Sequence, residues 1–153
     1  NKPQKIEFFS NPEEIISIYC GFNFCIAITK NGVFSWGNNS YGQLGNGKNE
    51  NQNKPQKIEF FSNPEEIISI CCGYNFSIAI TKNGVFSWGN NYYGQLGNGK
   101  NENENKPQKI EFFSNPEEII SICCGYNFSI VFTKSGIFSW GQNVCGQLGI
   151  GNK

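Results

Sequence analysis

A chain of 153 residues can bury the core of one compact domain. Its 12 lysines and 12 glutamates cancel, so no net field steers it toward nucleic acid or an anionic membrane. Arg, Asp, His and Met are absent, which excludes a Ser–His–Asp triad, bidentate phosphate clamps and arginine readout of guanine. The expectation is a protein without catalysis, cofactor or metal. With no initiating Met, the sequence reads as a processed or partial chain. No signal peptide and no apolar run of about 18 residues is visible, which predicts a soluble, cytoplasmic protein. Seven cysteines, mostly inside apolar segments, suit a reducing compartment.

The chain repeats itself every 52 residues. NKPQKIEFFSNPEEIISI begins at Asn1, Asn53 and Asn105, and GVFSWGNNSYGQLGNG (Gly32 to Gly47) returns from Gly84 and Gly136 with small changes. The expected organisation is one repeat domain over 1-153, with repeats 1-52, 53-104 and 105-153. Each repeat reads as four short strands. The first is Gln4 to Phe9, following Pro3. Ser10 to Glu14 then carries a capping-box spacing, Ser10 to Glu13, with Pro12 presetting a turn. The second strand is Ile15 to Cys20, closed by Gly21. In the third, Phe24 to Thr29, period-two alternation puts Phe24, Ile26 and Ile28 on one face and Cys25, Ala27 and Thr29 on the other. Asn31-Gly32 predicts a type I′ hairpin into the fourth strand, Val33 to Gly37, which carries Trp36. Beyond it, GQLG sends Leu44 toward the core, and Lys48 to Asn53 (with Lys100 to Asn105) reads as an exposed polar connector. Four strands per unit point to propeller blades ahead of a β-solenoid.

The run IxxxxCGxNFxIAITKNGVFSWGxNxYGQLGNG resembles the repeat of the regulator of chromosome condensation family. The resemblance rests on Gly21, Gly73 and Gly125, the Asn-Gly or Ser-Gly hairpin, FSWG, GQLG, and Pro3, Pro55 and Pro107. It implies an all-β chain of β-propeller blades, here a partial, open arc of three repeats from a seven-bladed type. Phe24, Phe76 and Phe128 stand where family repeats commonly carry His. The resemblance also implies a protein partner, with nucleotide exchange on a small GTPase such as Ran as one activity and the nucleus as an alternative location. Three repeats cannot close such a ring, so self-association or further repeats are expected to complete it.

Other motifs have plain structural readings. Cys71-Cys72 and Cys123-Cys124 are neighbours on a strand, point to opposite faces and cannot jointly chelate an ion, so small buried residues are expected. Glu13-Glu14 and its equivalents read as a turn device. Trp36, Trp88 and Trp140 are expected to pack against the next blade. The first two repeats differ at five positions, among them Ser40/Tyr92. The loop pairs Ser40 and Tyr41, Tyr92 and Tyr93, and Val144 and Cys145 vary while their surroundings do not. Loops on a rigid scaffold commonly carry binding, which makes these six the candidate partner contacts. The functional expectation is a non-catalytic protein-interaction scaffold; a regulator or exchange factor for a small GTPase and an enzyme-inhibiting binder are the alternatives.

Overall fold

The computed structural model describes residues 2–153; Asn1, where the first repeat opens, lies outside the described residues. Three antiparallel sheets follow one another along the chain. The first contains β1 (Ile15–Cys20), β2 (Phe24–Thr29), β3 (Gly32–Gly37) and β4 (Gln52–Lys57), in that order. The second repeats it with β5 (Ile67–Cys72), β6 (Phe76–Thr81), β7 (Gly84–Gly89) and β8 (Glu104–Lys109). The third has β9 (Ile119–Cys124), β10 (Phe128–Thr133) and β11 (Gly136–Gly141), with no fourth strand among the described residues. Strands β1, β5 and β9 lie closest together, so the sheets fan out from them as an open arc of propeller blades.

The fourth strand of each of the first two sheets comes almost wholly from the following repeat. Phe34 pairs with Lys57 and Ser35 with Gln56, so the sheets are offset from the sequence period. This corrects the expected strand at Gln4 to Phe9. Its equivalents form strands only as far as Lys57 and Lys109, and in the first repeat the segment is not in a strand. The reason is local: the Phe61 N–H donates to the Ile58 carbonyl at 3.2 Å, turning the chain so that Ile58 and Phe61 enter the core.

Two further expectations change in detail. Pro12–Glu14 is a 3-10 turn capped by Asn11, whose side chain accepts from the Glu13 N–H; Ser10 is not the cap. The β2–β3 hairpin forms, but no non-glycine described residue has positive φ, so Asn31 does not make a type I′ turn. Instead Thr29 Oγ1 accepts from the Asn31 N–H at 3.1 Å and donates to the Gly32 carbonyl at 3.0 Å. Glu14 secures it from outside, its Oε2 accepting from Asn31 Nδ2 at 2.9 Å.

The core lies between sheets. Ile26, Ile28, Val33 and Leu44 of the first unit pack against Ile58, Phe61, Ala79 and Trp88 of the second, and the same arrangement recurs between the second and third. Trp88 is fully buried and its indole Nε1 donates to the Gln43 carbonyl at 2.9 Å; Trp140 does the same to Gln95 at 2.8 Å. Trp88 and Trp140 thus meet the preceding unit, not the next one. Gly45 makes this approach possible. At φ +67° it turns the loop, and a Cβ there would lie 2.8 Å from the Trp88 indole nitrogen.

Replacing Trp88 by Phe removes the donor to Gln43 and leaves a small void, at a cost of about 1–3 kcal/mol. Trp36 is half-buried with no preceding loop against it, so Trp36→Phe should cost less. Chemical denaturation of the two variants measures the difference.

Candidate tyrosine-lined site

The loops between the first and second and after the third strand of each sheet share one end of the arc. The loop after β3 is held from within. Asn39 is buried; its Oδ1 accepts from the Leu44 N–H at 3.0 Å and its Nδ2 donates to the Lys48 carbonyl at 2.8 Å. Asn51 closes the same knot by accepting from the Asn39 N–H at 2.8 Å. The connector read as merely exposed therefore latches the loop.

Gln43, also fully buried, reaches further. Its Oε1 accepts from the Tyr41 N–H at 3.0 Å, and its Nε2 donates to Asn38 Oδ1 at 2.6 Å and across the seam to Asn75 Oδ1 at 3.0 Å. Gln95 makes the corresponding bonds to Tyr93, Asn90 and Asn127. A buried amide with its hydrogen bonds made fixes one geometry, since leaving any of them unmade is costly. Two neighbouring loops and their tyrosines are held in register this way.

The result is a groove of about 650 Å³ lined by Tyr41, Tyr74, Tyr92, Tyr93 and Tyr126, with the amides of Asn75, Asn101 and Asn127 between them and Glu102 as its one charged wall. Tyr74 and Tyr126 stack at 3.9 Å between ring centroids, and Phe22 continues the column at 4.4 Å from Tyr74. The backbones of these loops are bonded too, with the Tyr74 N–H donating to the Tyr126 carbonyl at 3.1 Å. Hydrogen bonding with the Tyr74 side chain raises the Tyr126 phenol above its ordinary value.

Of the six candidate contact residues, the groove brings together Tyr41, Tyr92 and Tyr93, with Tyr92 74% exposed. Ser40 is exposed but bonded to Asn38, and Val144 and Cys145 are exposed on the third loop outside the groove lining. Sequence reasoning missed Phe22, Tyr74 and Tyr126. The available signal was an aromatic between Gly and Asn in every repeat, in a tight loop with no strand face to bury it.

Of the paired cysteines expected to be buried, Cys71, Cys72 and Cys124 are half-buried and Cys123 is exposed; Cys20 and Cys145 are exposed too, and all seven are free thiols. Cys20 and Cys25 face each other across β1 and β2 with sulfurs 3.0 Å apart. Cys71 touches the next sheet, where its Sγ accepts from the Cys124 N–H at 2.9 Å. Among the described residues no three are grouped to hold a metal ion. The Cys124 thiol and N–H lower the Cys71 thiol, whereas burial pushes Cys25 and Cys72 up to about 12.

Below pH 9 a thiol such as Cys25 is protonated in both folded and unfolded chains. Between the ordinary value of 9.0 and about 12 only the unfolded chain releases its proton, so stability falls as pH rises through that window. Cys25→Ser, which places the residue of Ser77 and Ser129, should lessen that decline. Denaturation midpoints of both chains across the window are the check.

Comparison with known proteins agrees with this architecture. The regulator of chromosome condensation (RCC1) repeat model matches residues 30–80 and 82–132, and a second model of the same repeat matches 15–43, 67–95 and 119–147. The E3 ubiquitin-protein ligase HERC2 of Homo sapiens is 36% identical over 98% of this chain, which covers 3% of that protein. The ultraviolet-B receptor UVR8 of Arabidopsis thaliana is 32% identical over 91% of the chain and 32% of its own length. Among solved structures, Prp20p from Saccharomyces cerevisiae superposes with a TM-score of 0.71 at 30% identity, over 88% of this chain and 34% of that one. The chain thus spans about a third or less of these relatives. Two thirds of its length matches the first repeat model, its sheets have the corresponding blade geometry, and the chain belongs to the regulator of chromosome condensation repeat family.

Proposed function

We propose that this chain is a protein-interaction module whose partner surface is the tyrosine-lined groove. The observation that carries the reading is the groove's construction: exposed phenol rings on loops locked by buried Gln43 and Gln95. Tyrosine supplies large contact area at low entropic cost, and a preformed loop loses little freedom on binding. A groove walled by amides and phenols with one carboxylate suits a polar peptide surface.

A second reading, regulation of a small GTPase, is favoured by the likeness to Prp20p, whose solved structure is described with its binding to Gsp1p and histones. Gsp1p is accordingly the first probe. Immobilised Gsp1p should retain the 153-residue chain, and the double variant Tyr74→Ala, Tyr92→Ala should bind at least about tenfold more weakly with its circular dichroism unchanged. Undiminished binding by the variant would move the contact off the groove. Accelerated release of a fluorescent guanine nucleotide from Gsp1p supports the exchange reading; retention without acceleration leaves the module reading alone.

A further inference from the structure

The seam between the second and third sheets carries sulfur on both sides. Cys71 lies near the end of β5, and its Sγ accepts from the Cys124 N–H of β9 at 2.9 Å. The Cys124 side chain hydrogen-bonds to Cys71 as well, so the two thiols face each other across the sheets. The seam between the first and second sheets is built alike with one difference. There Tyr19 stands at the position of Cys71 and Cys72 at that of Cys124, and both pack against the core. A phenol closes that seam, so packing alone does not call for a thiol at residue 71. Cys71 is one of the five positions at which the first two repeats differ.

We propose that Cys71 and Cys124 form a reversible disulfide that staples the second sheet to the third, with low-molecular-weight disulfides as the oxidant class. Cys71 is the attacking sulfur. The Cys124 side chain and N–H hold its thiol below the ordinary value, and the thiolate is the nucleophile. The same contact with Cys71 holds the Cys124 thiol well above its ordinary value, so it keeps its proton until the second step. First, the Cys71 thiolate bonds one sulfur of the small disulfide, whose S–S bond breaks. The expelled small thiolate takes up the proton that Cys71 released. Next, Cys124 gives up its proton and its sulfur displaces the other small thiol from Cys71, which leaves carrying that proton. Two protein thiols lose two electrons, and the small disulfide gains them as two thiols. Tyr74 and Tyr126 follow the two cysteines and stack at 3.9 Å, so the link ties the strands behind that stack. Its formation does not depend on what the groove binds.

Glutathione disulfide is the probe, applied to the 153-residue chain with Cys25→Ser, which removes the competing sulfur 3.0 Å from Cys20. Peptide mapping should find a Cys71–Cys124 link within one chain, and dithiothreitol should return both thiols. Adding Cys124→Ala should stop the reaction at a glutathione mixed disulfide on Cys71. Adding Cys71→Ala should leave Cys124 unmodified at the same exposure. Disulfides that omit Cys71, or glutathione carried by Cys124 in preference to Cys71, overturn the proposal.

Thermal unfolding supplies the second measurement. The link joins residues 53 apart in sequence, and closing so long a loop should raise the midpoint of the oxidised chain by about 5 °C or more. Cys71→Tyr, which places the residue of Tyr19, should keep the same circular dichroism and show no oxidant-dependent shift. A mapped Cys71–Cys124 link with an unchanged midpoint overturns the stapling of the sheets.

Discussion

The hydrogen bond from the Trp88 indole to the Gln43 carbonyl, and its copy from Trp140 to Gln95, mark the contact on which the molecule depends. A four-stranded sheet of six-residue strands cannot shield its own apolar side chains, and an isolated one would be marginal. Stability comes from pressing one sheet onto the next. The indole brings both a large apolar surface and a directional donor to that seam, so it fixes the alignment of the sheets as well as their contact. Gly45 and Gly97 let the loop come close enough for it.

The same seam builds the groove. Gln43 presents its carbonyl to the neighbouring Trp while its side chain ties Tyr41, Asn38 and Asn75 together. Core packing and surface presentation are therefore linked through one residue in each loop. A shift between sheets would displace the tyrosines, and a loop change that freed Gln43 would loosen the core.

Much of this was legible because the period of the pattern and the period of the structure coincide on β1, β2 and β3. Alternating Phe24, Ile26 and Ile28 could only be a strand with a packed face, and Leu44 in a polar loop had nowhere to go but inward. What failed did so through hydrogen bonds that side-chain alternation does not reveal. The segment around Ile6 looks like a strand, yet at its equivalent β4 ends at Lys57 and a turn closed by the Phe61 N–H on the Ile58 carbonyl sends Ile58 and Phe61 into the core. Asn31-Gly32 has type I′ chemistry, but Thr29 and Glu14 hold another turn. The aromatic column of Phe22, Tyr74 and Tyr126 joins residues 52 apart, a distance at which only the folded arc makes them neighbours.

The borrowing of β4 and β8 from the following repeat has a consequence for how such a chain can change length. Because the first two sheets each straddle a repeat junction, a cut at either junction severs the strand pairing although it respects the sequence period. A loss or gain of one whole period, wherever it starts, rejoins equivalent positions and preserves each pairing register. Unequal exchange between such similar coding segments would thus alter the number of blades while leaving every remaining blade intact.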